Sequence, residues 1–253
     1  MDLPNTGENL ALQVAAARVG ASVATVKDVE GAGKLGAKVS ASGGRLAAAI
    51  AAESTSLLSR LGPVGAARFA ALDGGDLLAT LGVGPGDAPD EAPEDAEASC
   101  PHAYWGSTSG LDHGTILSLG DAAARELGLT AEDRVCVAIT LCHAFGIGSA
   151  CAAAFQQGAA VVLPAVGGIR GCGVPSQRAE VTLRVLASER CTTLFADTHT
   201  LKAFAEPALA EAREGLDLSA LRTGVCKVGS GSDFLPEDVE FDGVRLRTMG
   251  KKK

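Results

Sequence analysis

The chain has 253 residues, 47% hydrophobic and 21% charged, which argues against a disordered polyelectrolyte and gives length enough for one large α/β domain or two small ones. A net charge of −8, with no basic stripe beyond Lys251, Lys252 and Lys253, argues against a nucleic-acid partner. No run approaches the roughly 18 to 20 apolar residues of a membrane span, and Met1-Asp2-Leu3-Pro4-Asn5 lacks the basic and apolar regions of a secretory signal.

The chain opens with a helix over Asn9–Val19, capped within Thr6-Gly7-Glu8, with Leu10, Val14 and Ala17 on one face and Gly20 at its end. Ala21–Val26 reads as a short strand, Glu30–Val39 as a second helix and Ala47–Ala52 as a weak strand; Leu57–Leu61 or Ala66–Leu72 read as helical turns. The stretch 82–99 is different. It is rich in Pro and Gly and carries six acids, Asp87, Asp90, Glu91, Glu94, Asp95 and Glu97, with almost nothing to bury. It reads as an acidic linker or long loop between a first α/β part, 1–81, and a second, 100–253.

Alternation resumes beyond the linker. Helices are predicted over Gly120–Leu127, Gly148–Gln157, Val181–Glu189 and His199–Glu206, and strands over Asp133–Ile139, Ala159–Leu163, Thr193–Ala196 and Thr223–Val228. This β-α-β rhythm predicts an α/β fold with a largely parallel sheet flanked by helices. Aromatics are only 4%, so Ala, Val and Leu must fill the core. At about 25 cal/mol per Å² of apolar surface, such a core predicts modest stability.

Seven cysteines (100, 136, 142, 151, 172, 191 and 226) form no C-x-x-C pair, a pattern expected of reduced, buried thiols in an intracellular reducing compartment, cytoplasm or organelle matrix. Cys142 beside His143 suggests a thiolate–imidazolium pair, but neighbours on a strand point to opposite faces. His102, Asp112 and His113 match no closed metal-site spacing, and no metal site is predicted.

The stretch carrying most chemistry is Tyr104-Trp105-Gly106-Ser107-Thr108-Ser109-Gly110-Leu111-Asp112-His113-Gly114. Its small residues let backbone N–H groups approach phosphates while hydroxyls add hydrogen bonds. It resembles the phosphate loop of the adenylate-forming (AMP-binding) superfamily, Y-T-S-G-T-T-G-x-P-K-G. Other segments follow in family order. Leu129-Thr130-Ala131-Glu132-Asp133-Arg134-Val135 is similar to L-T-P-x-D-R-V, and Leu141-Cys142-His143-Ala144-Phe145-Gly146 to L-F-H-x-x-G. The segment 157–163 is similar to x-G-A-x-V-V-L, 216–222 to D-L-S-S-L-R and 229–236 to S-G-G-A-P-L-P. Upstream, the stretch from Asn9 through Gly20-Ala21 also fits the family pattern.

The resemblance is to the amino-terminal domain of acyl-CoA synthetases. It implies ATP-dependent carboxylate activation with Mg2+, CoA as co-substrate, and nucleotide and acyl substrates. It assigns cofactor-binding positions to Ser107, Thr108, Ser109, Gly110, His113, His143, Gly231 and Ser232. For each a plainer reading stands beside it: a surface turn for the loop, a hydrogen-bonded core histidine for His143, and a turn capped by Ser232 or Asp233. His199 falls near the family's acyl channel, or it starts a helix capped by Asp197 or Thr198.

The departures weigh as much. Asp112 and His113 stand at the loop's Pro and Lys positions, exchanging a fixed positive charge for a negative one nearby. Val244–Gly250 runs up to where the family shows Y-G-x-T-E; that motif and the small domain with the catalytic Lys lie outside the sequence. No catalytic residue is assigned. The expectation is an acyl-CoA synthetase-like domain, incomplete or inactive as given, with a catalytically dead homologue serving as a structural or accessory subunit of an assembly as the alternative.

Overall fold

The computed structural model describes residues 3–18, 20–25, 32–41, 48–51, 68–71, 103–104, 110–164, 174–228 and 238–249. The acidic stretch 82–99 and the helical turns predicted over Leu57–Leu61 lie outside them. The chain divides into two compact units, 1–115 and 116–253.

In the first unit, α1 (Gly7–Arg18) follows a turn in which the Asn9 side chain donates to the carbonyls of Leu3 and Pro4, at 3.1 and 2.9 Å. Gln13 donates in turn to Asn9 Oδ1. The buried side of α1 is therefore partly polar: Leu10 is buried as predicted, whereas Val14 faces out. Short strands β1 (Val23–Ala24) and β4 (Ala103–Tyr104) pair in parallel, as do β2 (Ala48–Ala51) and β3 (Arg68–Ala71). The helical turn predicted over Ala66–Leu72 is thus corrected to a strand. Its alanines favour helix, but ladder pairing with β2 decides the conformation. Helix α2 (Ala32–Ala41) buries Lys38, whose Nζ donates to the Thr25 carbonyl at 2.7 Å.

The second unit is built on a six-stranded sheet in the order β6-β5-β7-β8-β10-β9. Strands β5 (Arg134–Val137), β6 (Ala160–Val162), β7 (Thr193–Asp197), β8 (Thr223–Lys227) and β10 (Val244–Met249) pair in parallel. Only β9 (Asp238–Phe241) runs antiparallel, against β10. The helices are α3 (His113–Leu127), α4 (Ala152–Gln157), α5 (Pro175–Ser188), α6 (Thr198–Phe204) and α7 (Ala210–Arg213). A π-helical stretch, Phe145–Cys151, leads into α4 where the sequence predicts an α-helix from Gly148.

Strand side chains alternate between faces. Cys136, Ala138, Leu194, Ala196, Cys226 and Leu246 join Ala179, Leu183 and Leu186 of α5 in one core. Phe204 stacks on Phe241 at 4.6 Å, so phenylalanines anchor a core otherwise made of Leu, Ala and Cys. Cysteines 136, 142, 151, 191 and 226 are buried, reduced thiols.

The starts of three strands are tied to one carboxylate. Asp133, buried just ahead of β5, accepts from Arg222 Nε at 3.0 Å and Arg222 Nη2 at 2.6 Å. It also accepts from the Thr192 hydroxyl at 2.6 Å and the Thr130 N–H at 2.8 Å. Arg222 reaches on to the Leu127 and Gly128 carbonyls at the end of α3. Burial pushes the Asp133 carboxyl up, but hydrogen bonds from Arg222, Thr192 and Thr130 and the arginine charge outweigh it, leaving it below the ordinary carboxylate value.

Because the folded value is depressed, this stability is present above the unfolded value of 3.8 and lost as pH falls through the lower folded value. Asp133→Asn should cost about 1–3 kcal/mol in urea unfolding at neutral pH. The deficit should shrink as wild type and variant are compared below about pH 4. A cost near zero at neutral pH would contradict this account of the clasp.

Candidate functional site

Strand β6 lies on one side of β5 and β7 on the other, so the order reverses at β5. In open α/β sheets, ligands bind in the crevice beyond the carboxyl ends of the strands at such a reversal. The residues gathered at that end are His143 after β5, Asp197 at the end of β7 and Lys227 at the end of β8.

His143 sits in the turn that follows β5, so the premise that Cys142 and His143 are strand neighbours is corrected. Thr140 Oγ1 accepts the Cys142 N–H at 3.1 Å, and the His143 carbonyl accepts the N–H groups of Gly146 and Ile147. This packs the turn tightly. A Cβ on residue 146 would lie 2.5 Å from the Thr140 carbonyl oxygen, so only glycine fits there. The π-helical stretch begins at the next turn of chain, and Phe145 packs against Phe195 of β7 at 5.7 Å. Single π-helical turns recur at functional sites because the extra residue re-aims the backbone before them.

The imidazole of His143 lies between two donors. Its Nδ1 accepts the Phe145 N–H at 3.1 Å, and Lys227 Nζ lies 2.6 Å from Nε2 and 3.3 Å from Nδ1. A neutral imidazole has one accepting nitrogen, so the ring takes either the Phe145 N–H or the Lys227 ammonium. Cross-strand register makes Lys227 the partner of Asp197. Asp197 Oδ1 caps α6 by accepting the Thr200 N–H and hydroxyl, both at 2.8 Å, as one of the two capping readings predicts. Its carboxylate also pairs with buried Arg178 at 3.1 and 3.2 Å. His199 points into the open on the first turn of α6.

Of the other sequence candidates, Ser107, Thr108, Ser109, Gly231 and Ser232 lie outside the described residues. Gly110 and the start of α3 belong to the first unit. There Asp112 Oδ1 accepts the Thr115 N–H at 2.7 Å, so Asp112 is the N-cap of α3 and His113 its first residue. The residue read as a repulsive departure thus has a structural role. Lys227 and Arg178 are absent from the sequence candidates. The signals were a lone lysine ending an apolar strand, and Pro175, which favours the first position of a helix, ahead of Arg178.

No protein-family model and no curated protein sequence matches the chain. Solved structures do share its fold. A Mycobacterium tuberculosis fatty acyl CoA synthetase superposes with a TM-score of 0.64 at 17% identity, over 89% of this chain and 43% of that one. The N-terminal domain of FACL13, also from Mycobacterium tuberculosis, gives 0.64 at 16% identity, over 92% and 56%. The amide bond synthetase McbA from Marinactinospora thermotolerans gives 0.60 at 22% identity, over 88% and 42%. The fold is that of adenylate-forming acyl-CoA synthetases and ligases, and the chain spans about half their length or less.

The ammonium of Lys227 makes the stronger, charge-assisted bond, so His143 in the wild type should carry its proton on Nδ1. In Lys227→Met the proton should move to Nε2, with Nδ1 free to accept from Phe145. Imidazole nitrogen chemical shifts read the tautomer directly. The same tautomer in both proteins would contradict the assigned pairing.

Proposed function

We propose that the chain is an acyl-CoA synthetase-like domain of the AMP-binding type that does not by itself carry ATP-dependent carboxylate activation through. The fold likeness supports the class, and the capping of α3 by Asp112 carries the inactivity. A triphosphate at a helix start needs free N–H groups and a fixed cation. Here the Asp112 carboxylate takes one of those N–H groups, and a histidine follows it where the family carries lysine. These residues do not fit ATP with Mg2+ as the family's loop does, so no step is drawn through the nucleotide. Mg2+ and CoA belong to the complete reaction in fatty or other acid metabolism.

The same capping favours a second reading, a homologue that kept the fold and serves as a structural or accessory subunit. Stable co-purification within a larger assembly would distinguish it from a free domain.

Acid-dependent pyrophosphate release with a panel of short-chain and fatty acids should stay at background for this chain. His113→Lys, which leaves the Asp112 cap in place, should tighten ATP binding by about 1 kcal/mol, or five- to tenfold, as a partly exposed charge beside phosphate does. Trp105 fluorescence in an ATP titration measures the change, and raised salt should weaken it. Asp112→Pro should instead lower stability by about 1 kcal/mol through loss of the cap. Sustained acid-dependent turnover by the wild type would overturn the inactive reading.

A further inference from the structure

Arg178 is the least satisfied charged group described in the second unit. Only 5% of the residue is exposed, and its Nη2 alone contacts Asp197, while Nε and Nη1 are buried without a hydrogen-bond partner. Native proteins rarely bury guanidinium donors unpaired, because each lost water must be replaced by an acceptor. The Asp197 carboxylate cannot supply all of it, since its Oδ1 is shared with the N–H and hydroxyl of Thr200.

The helix that carries Arg178 adds an independent observation. α5 runs 14 residues from Pro175, its N-cap Val174 offers no side-chain acceptor, and its first turn holds no acidic residue. Arg178 is the fourth residue of that helix, and helical side chains lean back toward the amino-terminal end, whose partial charge is positive. Lys227, the cross-strand partner of Asp197, brings a second cation to the same end of the sheet.

We propose that the buried Arg178 guanidinium and the uncapped first turn of α5 form a binding site for an oxyanion, the carboxylate or phosphate group of a small ligand. Nε, Nη1 and the N–H groups of Ser176 and Gln177 donate to its oxygens; Pro175 has no N–H, and that of Arg178 donates to the Val174 carbonyl. The site needs no nucleotide turnover and stands or falls apart from the proposed activity.

Titration calorimetry and thermal unfolding of the full chain test it, with sodium phosphate and sodium succinate at matched ionic strength. Arg178→Lys keeps a cation facing Asp197 but removes the Nε and Nη1 donors. The wild type should bind at least one of the two anions and gain thermal stability from it. Arg178→Lys should lose about tenfold or more in affinity with an unchanged circular dichroism spectrum. Tighter phosphate identifies a phosphoryl ligand, and tighter succinate an organic acid. If Arg178→Lys does not fold, amide hydrogen exchange of the wild type decides: protection of Ser176 and Gln177 by the anion supports the site, and unchanged exchange overturns it. Equal affinity in the two proteins, or no binding by the wild type, also overturns it.

Discussion

The second unit depends on the clasp between Asp133 and Arg222. One buried carboxylate accepts five hydrogen bonds, two each from Arg222 and Thr130 and one from Thr192, at the amino ends of neighbouring strands. Arg222 also holds the last carbonyls of α3, so a helix and the starts of β5, β7 and β8 meet at one point. Parallel strands rise about 3.3 Å per residue, so fixing their starts fixes which residues emerge together at the far end. A slip of one residue in β8 would turn Lys227 to the opposite face and separate it from His143. The clasp lies at the end of the sheet away from the candidate site, yet it sets the site's geometry.

Two aspartates, one in each unit, show how one chemistry serves two purposes. Asp112 and Asp197 each cap a helix by accepting the N–H of the third helical residue, Thr115 and Thr200. Asp197 is in addition paired with a buried arginine and sits opposite Lys227, so its surroundings still favour an anion. Asp112 instead takes with its own carboxylate an N–H group at the start of α3. The fold therefore keeps an anion-seeking end on the strands of the second unit while the start of α3 is self-capped.

Much of the second unit was legible in the sequence. The strands predicted around 133–139, 159–163, 193–196 and 223–228 are β5 to β8, because strands buried on both faces read as continuous apolar runs. Two segments noted for family resemblance, around Asp133 and Arg222, are the two halves of the clasp. The hairpin of β9 and β10 went unassigned although its signal is present: Asp242-Gly243, both at positive φ, between the alternating Val239, Phe241 and Val244, Leu246. The strand at Arg68–Ala71 was hidden by its helix-favouring alanines. No periodicity separates a π-helical turn from an α-helical one, so Phe145–Cys151 could not be read. Of the site, His143 was legible through its motif. Lys227 and Arg178 were not, because their roles rest on strand register and on a helix that begins at Pro175 rather than Val181.

The central claim is that this chain meets anions at the carboxyl ends of β7 and β8 in preference to the start of α3. Amide chemical-shift mapping during a titration with ATP and Mg2+ tests it most directly. Perturbation should be strongest at Ser176 to Arg178, Asp197 and Lys227 and weaker at Asp112 to Thr115. Saturable shifts at Asp112 to Thr115, with 174–178 unchanged, would contradict the account.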